Sequence, residues 1–139
     1  AMAIHSAPLS PSIPVIQFTY DEASFKAVLA QWGPMGVERF RAHFRIDFPF
    51  LVSYGVFGYL LARHGSPSET VKNSARFFLT WALPSAALLD VGENLLHLGF
   101  IADGASPMPG AYLLAGVVAT GKWLLIATFV MGYFYTRRR

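Results

Sequence analysis

Residues 77–101 read FFLTWALPSAALLDVGENLLHLGFI, and the way this stretch combines apolar length with buried charge decides the fold. As a helix it is long enough to cross about 30 Å of hydrocarbon with tilt, and Pro84 is predicted to kink it. Its second half carries Asp90, Glu93, Asn94 and His97. Spacings of three, four and seven put these four on one helical face. A soluble helix would turn such a face to water, but here every other side is apolar.

Working outward, two more apolar stretches flank this one. Residues 46–62 are just long enough to span, and Arg63-His64-Gly65 closes them. Ser66-Pro67-Ser68-Glu69 then reads as a capping box with proline at the first helical position. After Asp103-Gly104 and Pro107-Met108-Pro109-Gly110, which make a short turn, residues 111–135 form the third stretch. The expected fold is therefore all-α: an integral membrane helical bundle, with three transmembrane helices in residues 46–136 and a basic tail at 137–139.

Composition agrees with a bilayer. Over 139 residues, hydrophobic side chains make up 54% and charged ones only 14%, against roughly 25% charged in an average globular domain. The mean hydropathy is +0.42. A soluble sphere of 15.3 kDa could not cover that much apolar surface, which argues against a cytosolic enzyme and against disorder. The net charge of +3 comes largely from Arg137-Arg138-Arg139. No basic stripe with interleaved aromatics suggests nucleic acid as a partner. Without cysteine, thiolate chemistry and disulfides are excluded.

The N-terminal third is more polar. Residues 1–20, with Pro8, Pro11 and Pro14 among serines, read as a flexible lead-in, and 1–14 has no apolar core of a cleavable signal peptide. Residues 21–45 read as an amphipathic interfacial helix region. Asp21 caps it, Phe25, Val28, Leu29 and Trp32 form one face, and Gly33-Pro34 interrupts it. The competing reading is a packing helix, tucked against the bundle as a fourth element. Arg63, Lys72, Arg76 and the terminal arginines lie on one side of a three-span arrangement. The loop 102–110 on the other side holds Asp103 and no basic residue. That balance puts the C-terminus in the cytoplasm and the N-terminal region on the opposite side, with Arg39, Arg41 and Arg45 pulling against it.

The third stretch adds Lys122 near its middle, in a stripe with Ala115, Ala119 and Ile126 that lets neighbouring helices approach closely. In the first stretch, Asp47 and Tyr54 share a face. Each ion at mid-bilayer costs roughly 2.5–3.5 kcal/mol, so Asp90, Glu93 and Lys122 together oppose insertion by something on the order of 10 kcal/mol. Pairing lowers that cost, and Arg45 is placed to reach Asp47 at the interface, yet Asp47, Asp90 and Glu93 outnumber Lys122 and an excess carboxylate remains. Three arrangements absorb the excess: a carboxyl that holds its proton, a metal among Asp90, Glu93 and His97, or a cationic or hydrogen-bonding ligand. The spacing Asp90-x-x-Glu93-x-x-x-His97 supplies metal ligands by type. No repeated His/Glu set on a second helix accompanies it, so no metal or other cofactor is predicted.

The segments Asp47-Phe-Pro-Phe-Leu-Val-Ser-Tyr54, Leu88-Leu-Asp90-Val-Gly-Glu93-Asn94-Leu and Lys122-Trp123-Leu-Leu together resemble a pattern in small uncharacterised bacterial multi-pass membrane proteins. The resemblance implies a membrane bundle and carries no activity with it.

From the residues, the leading expectation is an intramembrane site for a lipid-like or isoprenoid-like molecule, drawn from membrane lipid. Asp90, Glu93 and Lys122 are the acid–base candidates. Asp47, Tyr54, Asn94, His97 and Trp123 are the positioning candidates. The alternative is a non-catalytic subunit of a larger membrane complex, whose ion pairs fix helix packing. A third is proton or ion translocation, which would require an oligomer. Self-association or docking on a larger membrane protein is expected in any case, because three short spans enclose little interior.

Overall fold

The computed structural model describes residues 9–65, 72–104 and 107–137. Among these the chain is all-helical: α1 Ile13–Gln17, α2 Glu22–His64, α3 Asn73–Phe100 and α4 Ala111–Arg137. The Ser66–Glu69 capping motif, the first eight residues and the last two of the basic tail lie outside the described residues.

Helix α3 is the central element. Both α2 and α4 pack along its length, while α2 and α4 hardly touch one another. Close approach of α2 to α3 depends on Gly55 and Gly58. A Cβ on Gly55 would stand 3.0 Å from the Ala87 methyl, and one on Gly58 would run into the Leu83 side chain. On the other flank, Ala115 and Ala119 are fully buried against the bundle, so the small-residue stripe of α4 is turned inward.

The 43-residue α2 is two helices joined at a kink, where Gly33 has φ 64° and ψ −179°. Only glycine adopts that backbone readily, and Pro34 restarts the helix at a position where its missing N–H costs nothing. Beyond the kink the helix runs without a break through residue 46, so the expected boundary between interfacial helix and first span is not an element boundary. The N-terminal part packs onto the bundle rather than standing off from it. Phe25, Val28, Trp32, Phe40 and Phe44 form one buried cluster with Ile16, Ile101 and Tyr112. Arg41 Nη2 donates to the Ile101 carbonyl at 2.9 Å, satisfying an orphan acceptor at the end of α3.

The described part of the lead-in differs from a flexible segment. Ser12 and Pro14 open α1, Ile16 is fully buried, and Trp32 Nε1 donates to the Pro11 carbonyl at 2.7 Å.

Two helices, Glu22–His64 and Ala111–Thr136, are long and apolar enough to cross a membrane. The expected middle span does not meet the same requirement, although α3 has 28 residues, about 42 Å of helix. Asp90, Glu93, Asn94 and His97 lower its hydropathy. These four residues are buried inside the fold, so α3 keeps its polar groups against its neighbours.

Candidate functional site

The polar groups converge between two apolar clusters. Above them lie the rings of the N-terminal cluster, and below them Leu79, Ala82, Leu83, Phe129 and Tyr133. At the centre, Lys122 Nζ stands 2.8 Å from Asp90 Oδ1 and 2.6 Å from Glu93 Oε2. Asp90 is bound from both sides: Oδ1 accepts from Lys122, and Oδ2 accepts from the Tyr54 hydroxyl at 3.2 Å. Glu93 and Lys122 are buried almost completely, at 0% and 2% exposure. The Lys122–Glu93 contact is an ion pair without hydrogen-bond alignment. Both Glu93 oxygens lack an aligned donor among the described residues.

Around this core, Asn94 Nδ2 donates to Asp47 Oδ2 at 2.5 Å, joining α3 to α2. The second Asp47 oxygen faces His43 Nε2 at 3.5 Å. Asp47 therefore takes its partners from Asn94 and His43, where the sequence suggested Arg45. His97 is buried at 2% exposure, with Nδ1 3.8 Å from Glu93 Oε1, beyond hydrogen-bond range. The rings of Phe25, Phe40 and Phe100 enclose it at centroid distances of 5.5–6.0 Å. It stands under the N-terminal roof, away from the open side of the site. Among the described residues no group of three or more His, Asp or Glu side chains is arranged to hold a metal ion. Lys122 occupies the place between Asp90 and Glu93 that a cation would need.

Because α2 and α4 are held apart by α3, a groove runs lengthwise between them, with a volume of about 520 Å³. Its polar end is formed by Asp47, Tyr54, Asp90 and Lys122, with Gln17 and Trp123 at the edge. From there Phe57, Leu61, Leu83, Ile126, Phe129 and Tyr133 continue it as an apolar trough. The rise from Lys122 to Tyr133 along α4 is about 16 Å. Phe50, Phe57 and Phe134 on the rim are 60–62% exposed, so the groove opens sideways.

Of the eight candidate residues, Asp47, Tyr54, Asp90, Lys122 and Trp123 line the groove. Glu93, Asn94 and His97 stand behind it, each touching a lining residue or one another. Trp123 has its ring 5.5 Å from the Lys122 ammonium, and its Nε1 donates to Gln17 Oε1 at 3.1 Å. Gln17 and the trough residues were missed by the sequence reading. Gln17 carries no pattern that could have marked it. The trough does: 47, 50, 54, 57 and 61 on α2, and 122, 126, 129 and 133 on α4, repeat at helical spacing.

No protein-family model, no curated protein and no solved structure matches this chain.

Proposed function

We propose that the chain is a multi-pass membrane protein, crossing the bilayer three times, that holds a lipid-like or isoprenoid-like molecule in the groove between α2 and α4. The observation that carries this reading is the shape of the groove's chemistry: one charged, buried end joined to an apolar trough that opens sideways. A molecule with a polar head and a hydrocarbon chain matches both ends at once, and the volume lies within the range of small-molecule sites.

Exposure supports the membrane reading. Only 22% and 28% of the two most apolar windows are buried within the fold, whereas the core helix of a soluble protein hides most of itself. Ile46, Phe50, Phe77, Leu88, Leu124 and Met131 are each at least 62% exposed. Apolar surface of that extent needs a lipid or protein cover. Crossing by α3 is supported by its position between the other two, with its charges paired inward. Orientation follows the loop charges, with the C-terminus in the cytoplasm.

The acid–base role of Asp90, Glu93 and Lys122 rests on proximity, since a proton can pass among groups at 2.6–2.8 Å. A second reading, a non-catalytic subunit, draws on the same ion pairs as fixed glue between α3 and α4.

Two measurements test the proposal. Carbonate washing of membranes from expressing cells should leave the chain in the pellet; release into the supernatant ends the membrane reading. Native mass spectrometry of the purified chain should then show a co-purified small molecule, whereas a stoichiometric protein companion with no small molecule favours the subunit reading.

A further inference from the structure

The groove's position and charge narrow its occupant further, given the lateral groove reading above. At its polar end stand Asp47 and Asp90, with the fully buried Glu93 behind Lys122 and lacking an aligned hydrogen bond on either oxygen. Three carboxyl groups thus surround one ammonium. A phosphate or carboxylate head would add a further negative charge to a site that already holds too many, and like charges at this range repel strongly in a low-dielectric interior.

A fixed cation is disfavoured for a different reason. Lys122 lies midway along the exposed apolar band of α4, which runs from Leu113 to Phe134. A head that reaches it from the side of the bundle must pass through hydrocarbon, where a permanent charge is expensive. Complementarity with the carboxylates has to offset that passage, and one of them is already engaged twice, by Lys122 and Tyr54.

An uncharged head escapes both penalties, and the donors and acceptors left over select its type. Lys122 has three N–H groups, of which one donates to Asp90 while Glu93 is held by charge without alignment, so the ammonium keeps N–H capacity for an acceptor. The Asp47 and Asp90 oxygens each face one partner already, but carboxylate oxygens carry further lone pairs and can accept another donor. A carbonyl satisfies the first demand only. A hydroxyl satisfies both, accepting from Lys122 and donating to a carboxylate.

We infer that the groove takes an uncharged single-chain amphiphile with a hydroxyl head, its oxygen against the Lys122–Asp90 pair and its chain along Phe57, Leu61, Ile126 and Phe129. The trough's length of about 16 Å is close to half the hydrocarbon core, so such a chain would run from the midplane toward one interface.

Trp123 at the head end provides the readout. The chain, reconstituted in phosphatidylcholine nanodiscs, is titrated with a long-chain alcohol brominated along its chain, with the matching carboxylate and with the matching trimethylammonium, following tryptophan fluorescence. The alcohol should quench a saturable fraction, and that fraction should vanish in Trp123→Phe. The carboxylate and the ammonium should need at least about tenfold higher concentration, corresponding to the affinity step of 1.4 kcal/mol per decade. Saturable quenching by either charged compound at equal or lower concentration overturns the hydroxyl assignment and leaves the groove standing. Linear quenching by all three, or a saturable fraction that survives in Trp123→Phe, overturns the groove as well.

Discussion

Lys122 is shared between two carboxylates that depend on it unequally. Asp90 has a second donor in Tyr54, while Glu93 has only its unaligned ion pair. Removing the cation by Lys122→Met leaves both acids buried without a counter-charge, a change that typically costs about 3–5 kcal/mol. Lys122→Met with Glu93→Gln should recover much of that loss, because the remaining Asp90 keeps the Tyr54 hydroxyl. Lys122→Met with Asp90→Asn should recover less, because Glu93 then stays charged, fully buried and without an aligned donor among the described residues. Glu93→Gln alone should leave the melting temperature in detergent unchanged or raised, and Asp90→Asn should lower it by removing the charge that Lys122 donates to and one of the two acceptor oxygens shared between Lys122 and Tyr54. Equal destabilisation by the two single neutral changes would sink the idea that the face holds a surplus acid. Much of this centre was legible in the sequence, because charges inside apolar stretches cannot be incidental and helical spacing aligns Asp90, Glu93, Asn94 and His97. Which partner each would find was not legible, since that depends on how α2 and α4 are rotated about α3. Thus Asp47 meets Asn94 and His43 rather than Arg45. At the exposed start of α2, Asp21 accepts from the Ser24 amide at 2.8 Å and from its hydroxyl at 2.7 Å, and these bonds hold its carboxyl below the usual range. A lowered folded value means that the cap's contribution is complete above the ordinary carboxylate range and fades as pH falls through the lowered value. Amide exchange in residues 22–26 should therefore quicken at acid pH in the native chain. In Asp21→Ala it should be fast at every pH, once corrected for intrinsic exchange.

The elements follow the punctuation of the chain where that punctuation is steric. Gly33-Pro34 reads as a break and is a kink, because a φ of 64° with an extended ψ excludes a side chain even though nothing else crowds the site. Gly33→Ala should accordingly cost about 1–3 kcal/mol through backbone strain alone. Gly58 is the opposite case, helical in backbone but pressed against Leu83, so Gly58→Ala should push α2 away from α3 and cost about 1–3 kcal/mol through overpacking. The two mechanisms separate in a double mutant. Leu83→Gly, which removes the Cβ that a Gly58 methyl would meet first, should relieve much of the Gly58→Ala penalty and none of the Gly33→Ala penalty, as read from thermal unfolding of all combinations. Proline in the lead-in was harder to read. Pro8, Pro11 and Pro14 suggest extended chain, but a proline in the first turn is also how a helix begins, and Pro14 does this in α1. The deciding factor is tertiary: Ile16 enters a cluster with Phe25 and Tyr112 from distant parts of the chain, and no local pattern reports that.

At the scale of the whole molecule, the fold divides into a bundle and a roof. The bundle is held by α3 against its two neighbours, and its outward surface suits hydrocarbon. The roof consists of α1 and the N-terminal part of α2. It closes the upper end over His97 and the buried charges with Phe25, Trp32, Phe40 and Phe44. Three side-chain ties fasten α1 and its flanks: Trp32 to Pro11, Trp123 to Gln17, and the Tyr20 hydroxyl to Thr120 at 2.7 Å. Beginning the chain at Asp21 would cut all three and withdraw Ile16, whose burial alone stabilises by about 1.5–3 kcal/mol. Of those contacts only the Trp123 tie touches the exposed apolar bands on which the proposed membrane retention rests, and Trp123 itself remains in the shortened chain. The shortened chain should therefore still sediment with carbonate-washed membranes, while its melting temperature in detergent falls and the buried amides around His97 exchange faster. If the shortened chain were released from membranes, the first twenty residues would belong to the insertion machinery and the division into roof and bundle would be wrong. If it melted like the full chain, the buried Ile16 and its ties would contribute nothing to the closure of the site.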